Sequence, residues 1–379
     1  MEIEETTLTL FFTAGMGLKT WAEVGNLKRE LELYFRLNKK MKGVNFVTYG
    51  GKTDKLYERD LGEINLLNSV WYSNPRRTIL DLRLKKYLPI INRSNILKTN
   101  QIPGSEIPLW FKKKYDKKVI VRCGYLYSFF VKKRTENKKT INNAIQLEKE
   151  AFSSANIGIV TSSWQQEVVL KQYNIEPVEK IKIIPNYVVT DIFKPHPKIQ
   201  KKIDLIFVGR AERQKNIDNL LKGLYYLKSK NKNVSLAMVG GCCSDNKIRE
   251  MVKQYALNVI FKDDIPNFNL PHVLNQAKIF ILPSHYEGHP KALLEAMSCG
   301  MPCIGTNVTG IKEDIKHLVT GYLCTTDSKS IAEAIEVLLA DESLRSTLGK
   351  NAREYIIKNY SIDKVMQLEL EAIKEVLTL

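Results

Sequence analysis

KIFILPSHYEGHPKALLEAMSCGMPCIGT, residues 278–306, contains an apolar run, a loop, an amphipathic segment and a second apolar run. The run 278–284 has the continuous apolar character of a buried parallel strand. Pro290 is favourable in a first helical turn, and Gly300 suits the residue just beyond a helix end. The stretch therefore predicts a strand, a helix over 289–299 and a second strand over 301–306, which is the β–α–β unit of a parallel sheet.

The same alternation occurs in two series along the chain and predicts a doubly wound α/β fold in each. Residues 186–202 are polar, contain two prolines and separate the series, so we expect an N-terminal domain over 1–186 and a C-terminal domain over 187–360. The helical spacing of 361–377 predicts a last helix, within 361–379, that either caps the second domain or crosses back to the first. Further strand-like runs lie at 8–14, 119–122, 157–162, 180–185, 204–209 and 234–240, and helix-like runs at 22–40, 141–154, 163–173, 216–230, 245–257 and 328–340.

Composition limits the classes of protein to consider. The length of 379 residues suits two domains, and no run approaches the roughly 18 apolar residues of a membrane span. The acidic start, MEIEETTLTLFF, lacks the basic region of a secretory signal, and the six cysteines form no C-x-x-C pair. We therefore expect a cytoplasmic protein with reduced thiols, either free in the cytosol or peripheral at the inner face of the cell membrane.

Charge is unevenly distributed, since the net +17 divides into +13 over residues 1–190 and +4 over 191–379. A basic first half is compatible with nucleic acid, an anionic membrane or an acidic substrate. Lysines and aromatic residues are mixed in LWFKKKYDKK (109–118) and VKKR (131–134). These segments are either helices with a solvated lysine face or a surface for an anionic membrane or acceptor.

Glu287 and Glu295 are candidate ligand-binding acids, eight positions apart around the predicted helix start. That start follows a strand's carboxyl end, where open α/β sheets bind ligands. At 1.5 Å per residue, the second acid lies roughly 7 Å along the helix, so the two can touch different parts of one ligand. Both acids accept hydrogen bonds from hydroxyls.

Two further loops follow predicted strands. In FVGRAERQKNIDNLL (207–221), Arg210 and Lys215 precede a helix that we expect Asn216 to cap, and two cations in such a loop suit a diphosphate. In FFTAGMGLKTWAEVG (11–25), Gly15 and Gly17 allow the backbone to approach a ligand closely.

Together these segments resemble the retaining glycosyltransferases of family 4, whose GT-B fold has two Rossmann-like domains facing a cleft. The likeness covers most of 184–360 and matches in order and spacing at 207–221, MVGG (238–241), 280–310 and GYLC (321–324). The first half matches more loosely, through the glycine loop and RELELYFRL (29–37).

The resemblance implies a hexosyltransferase that uses a nucleotide sugar, UDP- or GDP-linked, and a glycan or lipid-linked acceptor in cell-surface polysaccharide biosynthesis. Glu287 would contact the transferred sugar, and Glu295 the ribose hydroxyls. Arg210 and Lys215 would bind the diphosphate, and Gly17 would approach the phosphates from the other domain. The base would lie near Ile265, and sugar hydroxyls or phosphate would meet the backbone of Gly288, His289, Pro290, Lys291 and Ala292, where every residue except Pro290 has an N–H.

The chain contains no D-x-D motif, so we expect no metal and no other cofactor, with Arg210, Lys215 and helix amides neutralising the leaving group. Relatives commonly have a histidine in the first domain, whereas all five histidines here lie beyond residue 190. Arg122 lies at the matching strand end. It either has a catalytic role in contact with donor or acceptor, or pairs with a carboxylate as a structural residue.

Two other functional hypotheses remain. A catalytically silent sugar-nucleotide-binding protein would use the same residues without turnover. A nucleic-acid-binding protein would use the basic half, but the sequence has no recognisable helix-turn-helix, RRM or zinc module, and we expect no nucleic acid.

Overall fold

A computed structural model describes residues 2–69 and 84–379 and divides the chain into two compact units. The first contains Met1–Pro185 and Val365–Leu379, and the second contains Asn186–Lys364. The sequence places these divisions after residues 186 and 360. Most of the last helix, Ile362–Thr378, belongs to the first unit, so the alternative in which it crosses back to that unit is confirmed.

In the first unit, the described residues form a seven-stranded parallel sheet with the order β3-β2-β1-β4-β5-β6-β7. This order is that of a doubly wound sheet, because the chain returns to the centre before it builds the other half. The strands are β1 (Thr7–Phe11), β2 (Gly43–Thr48), β3 (Asn65–Asn68), β4 (Ile96–Thr99), β5 (Lys118–Cys123), β6 (Ile157–Val160) and β7 (Ile181–Ile183).

Helices cover this sheet, and one prediction about them was wrong. The single helix expected over 22–40 is two helices, because Gly25 adopts a φ of 69° that ends the first of them. The α-helices are α1 (Leu18–Glu23), α2 (Leu27–Asn38), α3 (Leu88–Arg93), α4 (Glu106–Tyr115), α5 (Tyr127–Arg134), α6 (Lys138–Ser154), α7 (Ser163–Tyr173) and, at the end of the chain, Ile362–Thr378.

The second unit contains a six-stranded parallel sheet, again counted over the described residues, with the order β10-β9-β8-β11-β12-β13. Leu205 of β8 lies opposite Leu236 on one side and Ile279 on the other. Successive strands are therefore added on one side of β8 as far as β10, and on its other side from β11 onward. The boundary between β8 and β11 is the switch point, where doubly wound sheets bind ligands. The strands are β8 (Ile203–Val208), β9 (Leu236–Val239), β10 (Val259–Lys262), β11 (Ala277–Leu282), β12 (Cys303–Thr306) and β13 (Tyr322–Cys324).

The helices of the second unit bury apolar faces against this sheet. Leu220, Leu224 and Leu227 are at most 2% exposed and join Phe207 and Phe280 in one core. The α-helices are α8 (Ile217–Ser229), α9 (Asn246–Gln254), α10 (Leu270–Leu274), α11 (Lys291–Ser298), α12 (Ser328–Ala340) and α13 (Glu342–Tyr360). Gly300 has a φ of 69° just past α11, as predicted. Short 3₁₀ turns occur at Ile3–Glu5, Gly51–Leu61, Lys85–Tyr87, Val178–Lys180, Arg213–Lys215 and Asn267–Asn269.

All six cysteines are buried free thiols. Within 2–69 and 84–379, no helix has the length and apolar character needed to cross a membrane.

Candidate active site

The switch point of the second sheet brings two predicted loops together. The loop after β8 carries Arg210 and Lys215, and the loop after β11 carries Glu287. The backbone N–H of His285 donates to the carbonyl of Gln214 at 2.8 Å, which joins the two loops directly. Residues that are 72 positions apart in the sequence therefore meet at the carboxyl ends of neighbouring strands.

Glu287 is the centre of this cluster, and only 5% of the residue is exposed. Its Oε1 accepts from Lys215 Nζ at 2.7 Å and from Ser284 Oγ at 2.6 Å, and its Oε2 accepts from Gln214 Nε2 at 3.0 Å. A carboxylate offers about four lone-pair sites, so three donors fix the group and leave room for one ligand hydroxyl.

The backbone beneath Glu287 is fixed by the loop after β12. The Glu287 N–H donates to the Thr309 carbonyl at 3.1 Å. Gly310 has a φ of 82°, and a Cβ there would lie 2.4 Å from the Glu287 carbonyl oxygen. Only glycine satisfies both conditions, so the chain positions the Glu287 main chain as tightly as its side chain.

Glu295 lies inside α11, where 2% of the residue is exposed. Its Oε1 accepts from Asn267 Nδ2 at 2.8 Å, across 28 residues of sequence. A buried carboxylate needs polar partners, and Asn267 is one of them. The predicted contact of Glu295 with a ribose stays a prediction.

The segment between the two acids forms the start of α11. Gly288, His289 and Pro290 are buried, and Lys291 and Ala292 are half-buried. The amides of a first helical turn have no carbonyl partner within the helix and suit an anion or a hydroxyl. The His289 imidazole, in contrast, is turned into the protein and is 2% exposed.

The two cations differ in their surroundings. The Lys215 side chain is 17% exposed and is held by Glu287, whereas the Arg210 side chain is 72% exposed and lies 3.0 Å from Glu212. Arg210 can therefore reorient toward a ligand at little cost, because an exposed pair contributes about 0–1 kcal/mol.

The expected capping role of Asn216 was wrong. Asn216 has a left-handed backbone with a φ of 54°, and its side chain accepts nothing from the turn that follows. Instead, Nδ2 donates to the carbonyls of Pro283 and Thr326 at 2.9 and 2.7 Å. The residue thus ties the cation loop to the loop after β11.

Ile265, which was predicted to lie near the base, is half-buried and lines a groove of about 650 Å³. This groove runs between 191–199 and 265–273. Ile265 follows β10, and its contact with a nucleobase stays a prediction.

Gly17 lies in the first unit, where its lack of a side chain has a local cause. A Cβ on Gly17 would lie 2.4 Å from Oδ1 of Asp54, a fully buried carboxylate. Asp54 accepts from the N–H groups of Gly50 and Lys19 at 3.1 and 3.3 Å. The glycine therefore lets this carboxylate organise the loop, and an approach of Gly17 to a phosphate stays a prediction.

Arg122, also in the first unit, is paired with a carboxylate, which is the second of the two alternatives expected for it. Its guanidinium lies 3.3 Å from Glu369 of the last helix and 3.4 Å from the Ile184 carbonyl. Glu369 also accepts from Lys98 Nζ at 2.5 Å, and both of those side chains are fully buried. Burial lowers the pKa of Lys98. Arg122 is thus paired with a carboxylate in a buried network, and its contact with donor or acceptor stays a prediction.

Sequence reasoning missed several residues of these clusters. Ser284 ends the predicted strand run 278–284, and Gln214 lies in the loop between Arg210 and Lys215, so polarity at those positions was a usable signal. Asn267 and Asp54 had no such signal, because Asn267 binds Glu295, 28 residues away, and Asp54 binds Lys19, 35 residues away, in addition to the nearby Gly50.

The second-unit cluster is suited to binding a polar, anionic ligand. It combines a fixed carboxylate, two cations and the amides of a helix start at one sheet edge, which together can hold hydroxyls and a negatively charged leaving group.

Comparison with known proteins agrees with this geometry. Residues 188–355 match the family described as glycosyl transferases group 1. The chain is 33% identical over 187 residues to the capsular polysaccharide biosynthesis glycosyltransferase CapM of Staphylococcus aureus, covering 47% of each chain. It is 29% identical over 232 residues to UDP-Gal:alpha-D-GlcNAc-diphosphoundecaprenol alpha-1,3-galactosyltransferase of Escherichia coli, covering 55% of this chain and 58% of that protein. The chain thus spans about half the length of these relatives.

The similarity of fold extends over nearly the whole chain. The structure of HepE from Anabaena in complex with UDP superposes with a TM-score of 0.78 at 15% identity, covering 98% of this chain and 100% of that one. The predicted fold, two Rossmann-like parallel-sheet domains of the GT-B type, is therefore confirmed.

Proposed function

We propose that this chain, whose residues 188–355 belong to the glycosyl transferases group 1 family, is a retaining glycosyltransferase that uses a nucleoside-diphosphate sugar. The observation that carries the proposal is the Glu287 cluster at the switch point of the second sheet. Lys215, Gln214 and Ser284 all donate to this one carboxylate. These three donors hold the carboxylate in one orientation at a ligand-binding sheet edge, as the orientation of a sugar hydroxyl requires.

The donor is proposed to be a UDP- or GDP-linked sugar. The UDP complex of HepE and the UDP-Gal named for the Escherichia coli relative favour UDP. In the proposed complex, Glu287 orients the sugar, Glu295 accepts from the ribose, and Ile265 lies beside the base.

The leaving group is proposed to be stabilised by protein groups without a metal or other cofactor. Departure of the sugar leaves charge on a nucleoside diphosphate, and preorganised cations and amides stabilise such charge. Arg210 has an exposed side chain, and Lys215 is already placed beside Glu287. The amides at the start of α11 add neutral donors. Glu287 and Lys215 are opposite charges held together before the donor arrives, so little reorganisation is needed during the reaction.

The acceptor is proposed to be a glycan or a lipid-linked saccharide of cell-surface polysaccharide biosynthesis. The names of CapM and of the Escherichia coli relative support this class. With this acceptor, the enzyme is proposed to work from the cytoplasmic side, at an anionic membrane surface.

The basic segments of the first unit allow the membrane proposal to be refined. Lys112 Nζ donates to Asn156 Oδ1 at 2.7 Å and Lys117 Nζ to the Ser94 carbonyl at 2.9 Å, so both join elements within the unit. Burial lowers the pKa of each. The exposed cations are instead Lys113, Lys114 and the run 132–134. We call these five residues the basic face.

A liposome experiment tests the basic face. Attraction to an anionic surface contributes about 1 kcal/mol per nearby cation, so wild type should sediment with anionic but not neutral vesicles, and salt should reverse this. Replacing the five residues with glutamine should abolish sedimentation, whereas the exposed lysines Lys253, Lys350 and Lys358 of the second unit serve as the control set. If wild type does not sediment with anionic vesicles at low salt, the membrane part of the proposal is wrong.

The activity itself is tested by incubating the chain with UDP-, GDP- and ADP-sugars and following release of the nucleoside diphosphate. Turnover of one donor supports a glycosyltransferase. Binding of a donor with no turnover under any acceptor condition would favour the silent sugar-nucleotide-binding protein.

A further inference from the structure

His289 lies between the two candidate acids, but its imidazole does not face the ligand side of the loop. Its side chain is 2% exposed. Nδ1 accepts the backbone N–H of Asn186 at 3.0 Å, and the His289 carbonyl accepts from Asn186 Nδ2 at 2.8 Å. One asparagine thus binds both the ring and the main chain of this residue.

The hydrogen bond at Nδ1 determines where the imidazole carries its proton. A nitrogen that accepts an N–H is unprotonated, so the neutral ring carries its hydrogen on Nε2. Nε2 lies 3.4 Å from Oδ1 of Asp314, which is fully buried. This distance is long for a hydrogen bond, so the Asn186 contact is the stronger restraint of the two.

The network continues away from the site. Tyr360 donates its hydroxyl to Asp314 Oδ1 at 2.8 Å, and its ring packs edge-on against the imidazole at 5.0 Å. Burial and the nearby Asp314 charge raise the pKa of Tyr360, so it remains a donor. Asp314 also belongs to the chain segment after Gly310, the glycine that packs on the Glu287 carbonyl.

These contacts restrain the peptide that separates Glu287 from α11. His289 is two residues after Glu287 and two before Lys291, where the helix begins. A displacement of about 1 Å at a reacting group can cost about 10²-fold in rate. The ring is therefore placed to fix a sugar-orienting acid and a helix start at the same time.

We propose that His289 is a positioning residue of the donor site, which acts through Nδ1 on Asn186 to hold the segment 287–291 in its productive geometry. The proposal rests on the proposed function, since it assigns a role within that same site. The side chain does not touch the donor; the loop that it holds does.

Three substitutions of His289 distinguish the contribution of Nδ1 from that of Nε2. Asparagine places an acceptor oxygen near the position of Nδ1, and glutamine places a donor nitrogen near the position of Nε2, whereas phenylalanine keeps only the ring shape. His289→Phe should lower kcat at least about tenfold with the nucleoside diphosphate Kd changed less than about threefold. His289→Asn should recover part of kcat, and His289→Gln should not.

His317 provides a matched control in the same unit. Its Nδ1 also accepts a backbone N–H, that of Leu323, at 3.0 Å, and its ring packs edge-on against Tyr322 at 4.7 Å. His317 is exposed and outside the candidate site. His317→Phe removes the same kind of contact and should leave kcat unchanged, with thermal unfolding of every variant recorded beside it.

The outcomes distinguish the inference from the function on which it rests. If wild type neither binds nor turns over any nucleotide sugar, the proposed function fails first. If wild type is active and His289→Phe matches it, or if His289→Gln restores kcat and His289→Asn does not, the positioning role through Asn186 is refuted while the function stands. If His317→Phe loses as much kcat as His289→Phe, the loss reflects general stability, and the positioning role of His289 is also refuted.

Discussion

Glu287→Gln is the substitution that acts most directly on the proposed site. Glutamine keeps the size of glutamate but loses its charge and one acceptor oxygen. Lys215 then loses a partner at 2.7 Å while its side chain remains only 17% exposed. The new amide NH₂ also takes the place of an oxygen that accepts from Lys215 and Ser284 or from Gln214, so at least one of these hydrogen bonds is lost or must rearrange.

The size of the effect follows from these contacts. A hydrogen bond to a charged group contributes about 1.5–3 kcal/mol. If the carboxylate orients the sugar in the transition state, losing it lowers kcat by about 10- to 150-fold. Nucleoside diphosphate affinity should change less than about threefold, because Lys215 remains available to the phosphates and loses only a competing partner.

Steady-state turnover of the best donor gives kcat, and isothermal titration with the nucleoside diphosphate gives Kd. Glu336→Gln is the control, since Glu336 also pairs with a lysine, Lys232, but on the exposed surface of the same unit. Exposed pairs contribute about 0–1 kcal/mol, so this variant should behave as wild type. Unchanged kcat in Glu287→Gln, or a loss that appears equally in nucleotide affinity, would refute the assignment.

Four other predictions follow from the structure. Glu295→Ala should weaken binding of the bare nucleotide by about tenfold or more and leave the buried Asn267 amide unpaired; equal affinities by titration would contradict the ribose assignment. Arg210→Ala should lower kcat/KM by about 10- to 150-fold while EDTA changes little, and activity abolished by EDTA and restored by Mg²⁺ or Mn²⁺ would contradict a metal-free mechanism. Leu318→Gly should raise the free energy of unfolding in urea by up to about 1 kcal/mol, because Leu318 has a φ of 59° and is 50% exposed; a decrease would show that its side chain makes a needed contact. Burial raises the folded-state pKa of all six cysteines above the unfolded value of about 8.5. Only the unfolded thiols then ionise as the pH rises above that value, so the free energy of unfolding should fall. A urea midpoint that increases between about pH 7.5 and 9.5 would contradict this prediction.

The second unit was predictable because each of its two central strands ends in four consecutive apolar residues, 205–208 in β8 and 279–282 in β11, after a single charged residue near the strand start. The run 204–209 became Ile203–Val208, and 278–284 became Ala277–Leu282. The positions of Glu287 and Lys215 after the ends of strands followed from that pattern.

The first unit was less predictable because polar residues interrupt its strands. Lys98 lies inside β4 and Asn45 inside β2, and both residues are polar. Lys98 is tolerated in the core because Glu369, 271 residues later, supplies a compensating charge. The sequence around Lys98 contains no information about a partner so far along the chain. For the same reason, the sequence around Arg122 could not show that this residue pairs with Glu369.

The contacts of Glu287 were missed for a related reason. Its spacing from Glu295 is visible in the sequence, but the direction of a side chain depends on which loops meet at the switch point. Gln214 reaches Glu287 only because β8 and β11 are neighbours in the sheet.

The central claim is that this chain transfers a sugar from a nucleotide donor with retention. Proton NMR of wild type with a panel of UDP- and GDP-sugars, with an acceptor extract or with water alone, follows donor loss and the anomeric configuration of the first product together. We predict loss of one donor, release of its nucleoside diphosphate, and a first product with the anomeric configuration of the donor. A product of inverted configuration, or no donor lost and none bound at millimolar concentration, would contradict the claim.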